Sequence, residues 1–217
     1  MTRPTQGIVS ETEVLIATLR WLSSRGARPL CISIPSGQGT SKDADRGLLN
    51  SELNSLGLAP CRFSNDGPDI VACSSTEYWQ IECKGVGAGV QQTQRNNFDR
   101  ALASVVSYYC DQVPNPNGEC PPSAKPLLAL ALPATSEYLN QLRRRVRRPL
   151  RAKLDLWILL YEPSANSLKS LDPVAEYEGG ADLHRRRRRH TEVDPDLVVR
   201  MFSQRKGEGE SGNDVTP

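Results

Sequence analysis

Histidine, the side chain most used for proton transfer near neutral pH, is almost missing from this sequence. The 217 residues include two histidines, His184 and His190, and both lie in a charged C-terminal stretch. This scarcity argues against histidine-based acid–base catalysis and against nuclease sites of the HNH type.

Cysteine is present but lacks the spacing of a metal or redox motif. No C-x-x-C pair occurs among the six cysteines, at positions 31, 61, 73, 83, 110 and 120. The pattern excludes a zinc cage and a thioredoxin-like redox site. We therefore expect reduced thiols, several of them buried, in a cytoplasmic protein.

Long apolar runs are also lacking. The longest, residues 127–132 and 156–161, are about a third of the length that a membrane-spanning helix needs. The first seven residues carry no apolar signal region, so we expect neither a membrane span nor secretion.

Positive charge is abundant and unevenly placed, although the net charge is only +2. Between residues 141 and 153 seven basic residues occur with no acid, and a second run covers 185–189. The first run predicts phosphate contacts with nucleic acid, because guanidinium groups bind phosphate in a bidentate manner. Its members are Arg143, Arg144, Arg145, Arg147, Arg148, Arg151 and Lys153. The alternative is a solvated helix face followed by a polar tail.

Hydrophobic periodicity predicts alternating helices and strands over the first 162 residues. Predicted helices cover residues 10–25, 43–56, 91–110 and 135–148, and predicted strands cover 28–35, 61–63, 69–73, 77–84, 127–132 and 154–161. An Asn-Asp-Gly turn at 65–67 predicts a hairpin between 61–63 and 69–73. Residues 163–217 are polar and charged, so we expect a folded domain over 1–162 and a largely disordered tail over 163–217.

Three polar residues stand out on two neighbouring predicted strands. Asp69 follows Pro68 at the start of one strand, and Glu82 and Lys84 lie two residues apart on the next. Alternation places Glu82 and Lys84 on one face and Trp79, Ile81 and Cys83 on the other, in the core. Close carboxylates repel each other, and a hard divalent cation relieves that repulsion. The alternative is a structural Glu–Lys ion pair.

The Pro68-Asp69 and Glu82-Cys83-Lys84 elements resemble the PD-(D/E)XK nuclease superfamily, across about residues 8–161. The resemblance implies an α/β, restriction-endonuclease-like α-β-β-β-α-β core, in which a mixed central sheet is flanked by helices. It also implies Mg²⁺, with Mn²⁺ able to substitute, held by Asp69 and Glu82 while Lys84 orients or activates the attacking water. Hydrolysis of phosphodiester bonds, in DNA rather than RNA, would follow, and many members act as homodimers.

The first helix adds a third carboxylate to this resemblance. Its opening is similar to that of archaeal Holliday-junction resolvases, and Glu11 should face inward as a metal-site residue. Glu13 remains the alternative, since it also fits as the partner of Ser10 in a capping box. Gln91, Gln92 and Arg95 occupy the helix start where members often carry a supporting side chain. A second reading keeps the fold and makes the protein a catalytically inactive nucleic-acid-binding or assembly protein.

Overall fold

Apolar strands and amphipathic helices of this sequence form an α/β fold with one mixed sheet of seven strands. The computed structural model describes residues 8–34, 42–87, 91–114 and 118–177. The elements are, in chain order, α1 Glu11–Ser24, β1 Arg28–Ser33, α2 Lys42–Ser55, β2 Arg62–Ser64, β3 Ile70–Cys73, β4 Glu77–Cys83, α3 Gln91–Ser107, β5 Lys125–Pro133, α4 Ser136–Arg145, α5 Arg148–Leu154, β6 Leu156–Glu162 and β7 Ser167–Leu171. No helix in these ranges has the length and apolar character of a membrane span.

β4 is the central strand of the sheet, whose order is β2-β1-β3-β4-β5-β6-β7. β3 pairs with β4 antiparallel, whereas β5 pairs with β4 parallel. Trp79, Ile81 and Cys83 are fully buried in one core cluster together with apolar residues of α1. On the opposite face Gln80 and Glu82 reach α3. The predicted alternation of faces along β4 is therefore confirmed, and helices flank the sheet on both sides.

The predicted hairpin between β2 and β3 is wrong. β2 pairs with β1 in parallel, and β1 lies between β2 and β3. The turn at residues 65–67 does reverse the chain, with Gly67 at φ 88°. However, Ser33 of β1 donates its hydroxyl to the carbonyls of Asp66 and Pro68, each at 3.0 Å, so β1 occupies the space where β2 would have paired.

The helix expected over residues 135–148 corresponds to α4, which ends at Arg145, and a second helix, α5, follows where none was predicted. Thr135 caps α4 as predicted, and its hydroxyl accepts from the Tyr138 N–H. Pro149 has no N–H to continue the α4 hydrogen-bond ladder, and it lies in the first turn of α5, where none is needed.

Ordered structure continues past the expected boundary at residue 162. β7 pairs antiparallel with β6, so the prediction that the chain after Glu162 lacks structure is wrong for Ser167–Leu171. β7 is polar because it is an edge strand with no fully buried residue. Residues up to Glu176 belong to one compact unit; of the second, Tyr177–Pro217, only Tyr177 is described. The 185–189 run lies outside the described residues.

The expectation of six reduced thiols is wrong for two of them. Cys73 at the end of β3 and Cys120 before β5 form a disulfide, 47 residues apart in sequence. The other four cysteines are free. Local spacing gave no signal for this bond, because the pairing depends on how β3 and the loop before β5 meet in the fold.

Candidate active site

Lys84, just beyond the end of β4, is surrounded by three carboxylates. Its Nζ lies 3.0 Å from Glu82 Oε1, 3.2 Å from Glu11 Oε1 and 3.6 Å from Asp69 Oδ2. The four side chains are between 7% and 24% exposed, so the cluster is largely buried but remains partly accessible to solvent. Four predicted residues from three separate segments thus converge at the C-terminal end of β4.

Glu11 reaches Lys84 because the start of α1 lies directly against the residues that follow β4. Val9 and Val86 form an isolated antiparallel bridge, with N···O distances of 2.9 and 2.7 Å. Gly85 permits this approach: a Cβ there would lie 2.6 Å from the Glu11 nitrogen, closer than real Cβ atoms come to backbone. A side chain at position 85 would therefore separate Glu11 from the cluster.

Glu13 takes the other role that the sequence left open. Its carboxylate accepts from the Ser10 N–H at 2.7 Å, and its own N–H donates to the Ser10 hydroxyl at 3.1 Å. This capping box engages Glu13 at the start of α1. Glu11, one turn before Leu15, is the helix carboxylate that joins the cluster.

Asp69 is positioned from two sides. The Cys83 backbone N–H donates to Asp69 Oδ2 at 2.7 Å, which links the start of β3 to the end of β4. On the other side, Ser33 binds the carbonyls of Asp66 and Pro68 in the turn that leads to Asp69. The carboxylate therefore has a set direction before any ligand binds.

The close approach of these charges changes their proton affinities. Burial, reinforced by the negative charges of Glu82 and Glu11, raises the pKa of Asp69 to about 7 despite the opposing effect of Lys84. Burial also raises the pKa of Glu11. For Lys84 burial acts the other way, but the three carboxylates outweigh it and raise its pKa above the usual value. Lys84 is therefore fully charged at neutral pH.

The donor set fits a hard divalent cation in its chemistry. Three carboxylates supply oxygen ligands, which Mg²⁺ and Mn²⁺ prefer. Within the described ranges, no group of three or more His, Cys, Asp or Glu side chains is arranged so that it could hold a metal ion. The acids converge on the Lys84 ammonium instead.

Two tyrosines at the cluster were not predicted as site residues. The hydroxyl of Tyr108, just after α3, lies 3.1 Å from Glu82 Oε2. The hydroxyl of Tyr138 in α4 donates to the Gly85 carbonyl at 2.9 Å. Helical periodicity makes both look like packing residues, so no local signal identifies them. Gly85, directly after the E-x-K element, was the one visible clue to a close approach.

Of the three supporting residues suggested at the start of α3, the structure describes the side chain of Arg95. Arg95 Nε lies 3.5 Å from Glu137 Oε1, which connects α3 to the start of α4. The backbone of Gln91 and Gln92 begins α3, but their side chains lie outside the described part of the chain. The Arg95 side chain is nearly half exposed.

The predicted phosphate-binding residues lie on the two helices that follow β5. Arg143, Arg144 and Arg145 form the last turn of α4, Arg147 is the N-cap of α5, and Arg148, Arg151 and Lys153 belong to α5. The first turn of α4 contacts the residue after Lys84, because the Tyr138 hydroxyl donates to the Gly85 carbonyl.

The individual members of the run differ in what they contact. Arg144, Arg147 and Lys153 are exposed. Arg145 pairs with Asp99, Arg148 Nη1 lies 3.0 Å from Glu176 Oε1, and Arg143 is half-buried.

Arg151 corrects the prediction for this run. It is fully buried and donates to the carbonyls of Asp172, at 2.7 Å, and Ala175, so it is not available to phosphate. Its role is to join α5 to the segment after β7. The sequence could not reveal this, because its position within a run of arginines looks the same as that of its exposed neighbours.

Comparison with known proteins found no matching family model, no similar curated protein and no similar solved structure.

Proposed function

We propose that this protein is a divalent-metal-dependent nuclease that hydrolyses phosphodiester bonds in DNA. The observation that carries the proposal is the convergence of Glu11, Asp69 and Glu82 on Lys84 at the C-terminal end of the central strand β4. Three acids and one amine from three chain segments are costly to bury together unless they are used. The order of elements around them, and the resemblance to the PD-(D/E)XK superfamily, support the same assignment.

In this proposal Glu11, Asp69 and Glu82 would hold Mg²⁺, or Mn²⁺ in its place. When bound, the ion would polarise a phosphoryl oxygen and lower the pKa of a bound water. Glu82 and Asp69 present their oxygens from paired strands, and the Cys83 N–H keeps Asp69 turned toward the cluster. The carboxylates repel the phosphates of nucleic acid. We therefore expect the DNA backbone to enter the site only when a bound cation balances the negative charge of the cluster.

Lys84 contributes as a permanent positive charge. Because the three carboxylates raise its pKa, it does not accept a proton from water near neutral pH. It stabilises negative charge that develops on the phosphate and orients the group that attacks it. Removing the charge while keeping the stem, as in Lys84→Met, should therefore abolish turnover without preventing DNA binding.

Exposed arginines supply the DNA contacts in this proposal. Arg144 and Arg147 are exposed, so they would be available to bind phosphates of the DNA backbone. Such contacts position the backbone without reading base sequence, and they weaken as salt is raised.

Cleavage of labelled linear, single-stranded and branched DNA in Mg²⁺ or Mn²⁺ tests the proposal. Wild-type protein should cut at least one of these substrates, while Glu82→Gln and Lys84→Met should bind it and leave it intact. Glu52→Gln is the matched control, because it removes a carboxylate that pairs with Arg20 at 2.7 Å outside the cluster. If both cluster variants cut at the wild-type rate, the proposed site is wrong.

One observation favours a second candidate, a nucleic-acid-binding protein without catalysis. Lys84 contacts all three carboxylates, so each of them already has a cationic partner within the chain. Titration calorimetry with Mg²⁺ and Mn²⁺ separates the two candidates. Heat of binding that is lost in Glu82→Gln supports the nuclease, whereas DNA binding by a wild-type protein that takes up neither ion supports the non-catalytic protein.

A further inference from the structure

Tyr108, the residue directly after α3, contacts the candidate active site and lies outside the sequence motif. Its hydroxyl lies 3.1 Å from Glu82 Oε2 and 3.3 Å from the carbonyl oxygen of Gly67. Gly67 stands two residues before Asp69. One hydroxyl therefore contacts both a cluster carboxylate and the turn that carries a second one.

The two oxygens of Glu82 are held by different groups. Oε1 is 3.0 Å from Lys84 Nζ, and Oε2 is the oxygen that faces Tyr108. A carboxylate held at one oxygen can still rotate about its last bond, whereas contacts at both oxygens leave one orientation. Tyr108 thus removes the freedom that Lys84 alone would leave.

The tyrosine is itself anchored from the same strand. Gln80, which shares a sheet face with Glu82, donates its side-chain amide to the Tyr108 carbonyl at 2.8 Å and to Cys110 Sγ at 3.3 Å. Backbone and side chain of Tyr108 are both placed by residues of β4.

We infer that Tyr108 is a positioning residue that orients the Glu82 carboxylate for a divalent cation. The inference rests on the proposed function for its metal, but it concerns a residue outside the E-x-K element. Groups that hydrogen-bond to a metal-binding carboxylate generally affect metal affinity or activity by about 10- to 100-fold. The Tyr108 hydroxyl is engaged by Glu82 and by the Gly67 carbonyl, so its loss should change the metal step and leave DNA binding unchanged.

Tyr108→Phe removes the hydroxyl and keeps the ring, and Tyr109→Phe is the matched control. Tyr109 is the next residue, is half exposed, and directs its hydroxyl to Asp111 at 2.9 Å, away from the cluster. Binding of Mn²⁺ is measured by electron paramagnetic resonance of the free ion, without DNA. Cleavage in Mg²⁺ then gives kcat and KM for the best DNA substrate, and thermal unfolding of each variant checks the fold.

Tyr108→Phe should weaken Mn²⁺ binding about tenfold and lower kcat by about the same factor, with KM for DNA unchanged. Tyr109→Phe should behave as wild type in every measurement. If wild type binds Mn²⁺ and cuts DNA while Tyr108→Phe does both equally well, the role of Tyr108 is refuted and the nuclease stands. If wild type neither binds Mn²⁺ nor cuts, the nuclease proposal fails and the inference fails with it.

Discussion

Asp69→Asn should make the protein more stable at pH 8, although it removes a charged partner of Lys84. The pKa of Asp69 is about 7 in the fold against 3.8 in a free side chain, because burial and two neighbouring acids oppose its ionisation. A raised acid pKa means that the folded state holds the proton more tightly than the unfolded state does. The ionised form therefore costs folding free energy, and the cost grows as pH rises from about 4 to about 7.

The size of this effect follows from the pKa difference of about three, at about 1.4 kcal/mol for each pKa unit, which gives an upper limit of ~4 kcal/mol. Asparagine resembles the protonated acid and can still accept from the Cys83 N–H. We expect Asp69→Asn to gain about 2 to 4 kcal/mol over wild type at pH 8 and about zero near pH 4. The attraction to Lys84 is already included, since it lowers the same pKa.

Urea unfolding followed by circular dichroism, at half-unit steps from pH 4 to 8, measures the difference between the two proteins. Taking the difference cancels every titration that they share. Glu52→Gln, which removes a carboxylate outside the cluster, should give no stabilisation at any pH. A difference that stays flat with pH, or a variant less stable than wild type at pH 8, would refute the reasoning. Saturating Mg²⁺ should narrow the gap at pH 8, because a cation stabilises only the ionised cluster.

The other predictions concern three single residues and one covalent bond. Gly85→Ala should destabilise the protein by about 1–3 kcal/mol and abolish cleavage, since the new Cβ meets backbone of residues 9–11, whereas Gly47→Ala, in open space on α2, should be neutral or stabilising. Denaturant unfolding measures the stability of both variants, and the DNA assay measures their cleavage. A stable and active Gly85→Ala variant would contradict the close approach of Gly85 to the backbone of residues 9–11. Arg151→Met should lose a few kcal/mol, as denaturant unfolding would show, because the part-buried Ala175 carbonyl loses its guanidinium donor and the Asp172 carbonyl retains the weaker Ala175 N–H at 3.3 Å. Exposed Arg147→Met should keep wild-type stability but reduce the salt dependence of DNA binding by about one phosphate contact, measured by fluorescence anisotropy; equal effects of the two variants on stability would be the opposing result. Reduction of the Cys73–Cys120 disulfide should lower the free energy of unfolding by about 2–4 kcal/mol, seen by thermal unfolding with and without dithiothreitol, and an unchanged melting temperature would argue that the bond does not constrain the unfolded chain.

Local sequence was sufficient for the elements that carry the site. The apolar alternation of Trp79, Ile81 and Cys83 predicted which way Glu82 points, because side chains of a strand alternate between faces regardless of what lies beyond. The capping box of Ser10 and Glu13 was equally local, and assigning Glu13 to it favoured Glu11 as the inward carboxylate. The structure agrees on each of these positions.

Pairing between distant segments was beyond local patterns. The turn at residues 65–67 predicts a reversal, but only the assembled sheet shows that β1 enters between the two strands that the turn connects. The polar strand β7 was missed because one edge of the sheet can accept a strand with little apolar character. Backbone hydrogen bonds to β6 hold β7 in the sheet, although few of its side chains are apolar.

The sequence by itself determined that Glu82 and Lys84 share one face at the end of β4, since the alternation of a strand depends on neighbours within a few positions. Only the tertiary structure decided that Arg151 is buried while Arg147 is exposed, that Tyr108 contacts Glu82, and that Glu11 and Asp69 converge on Lys84. The reason is that burial and contact depend on segments tens of residues apart. A run of identical side chains carries no local mark of which member the fold will enclose.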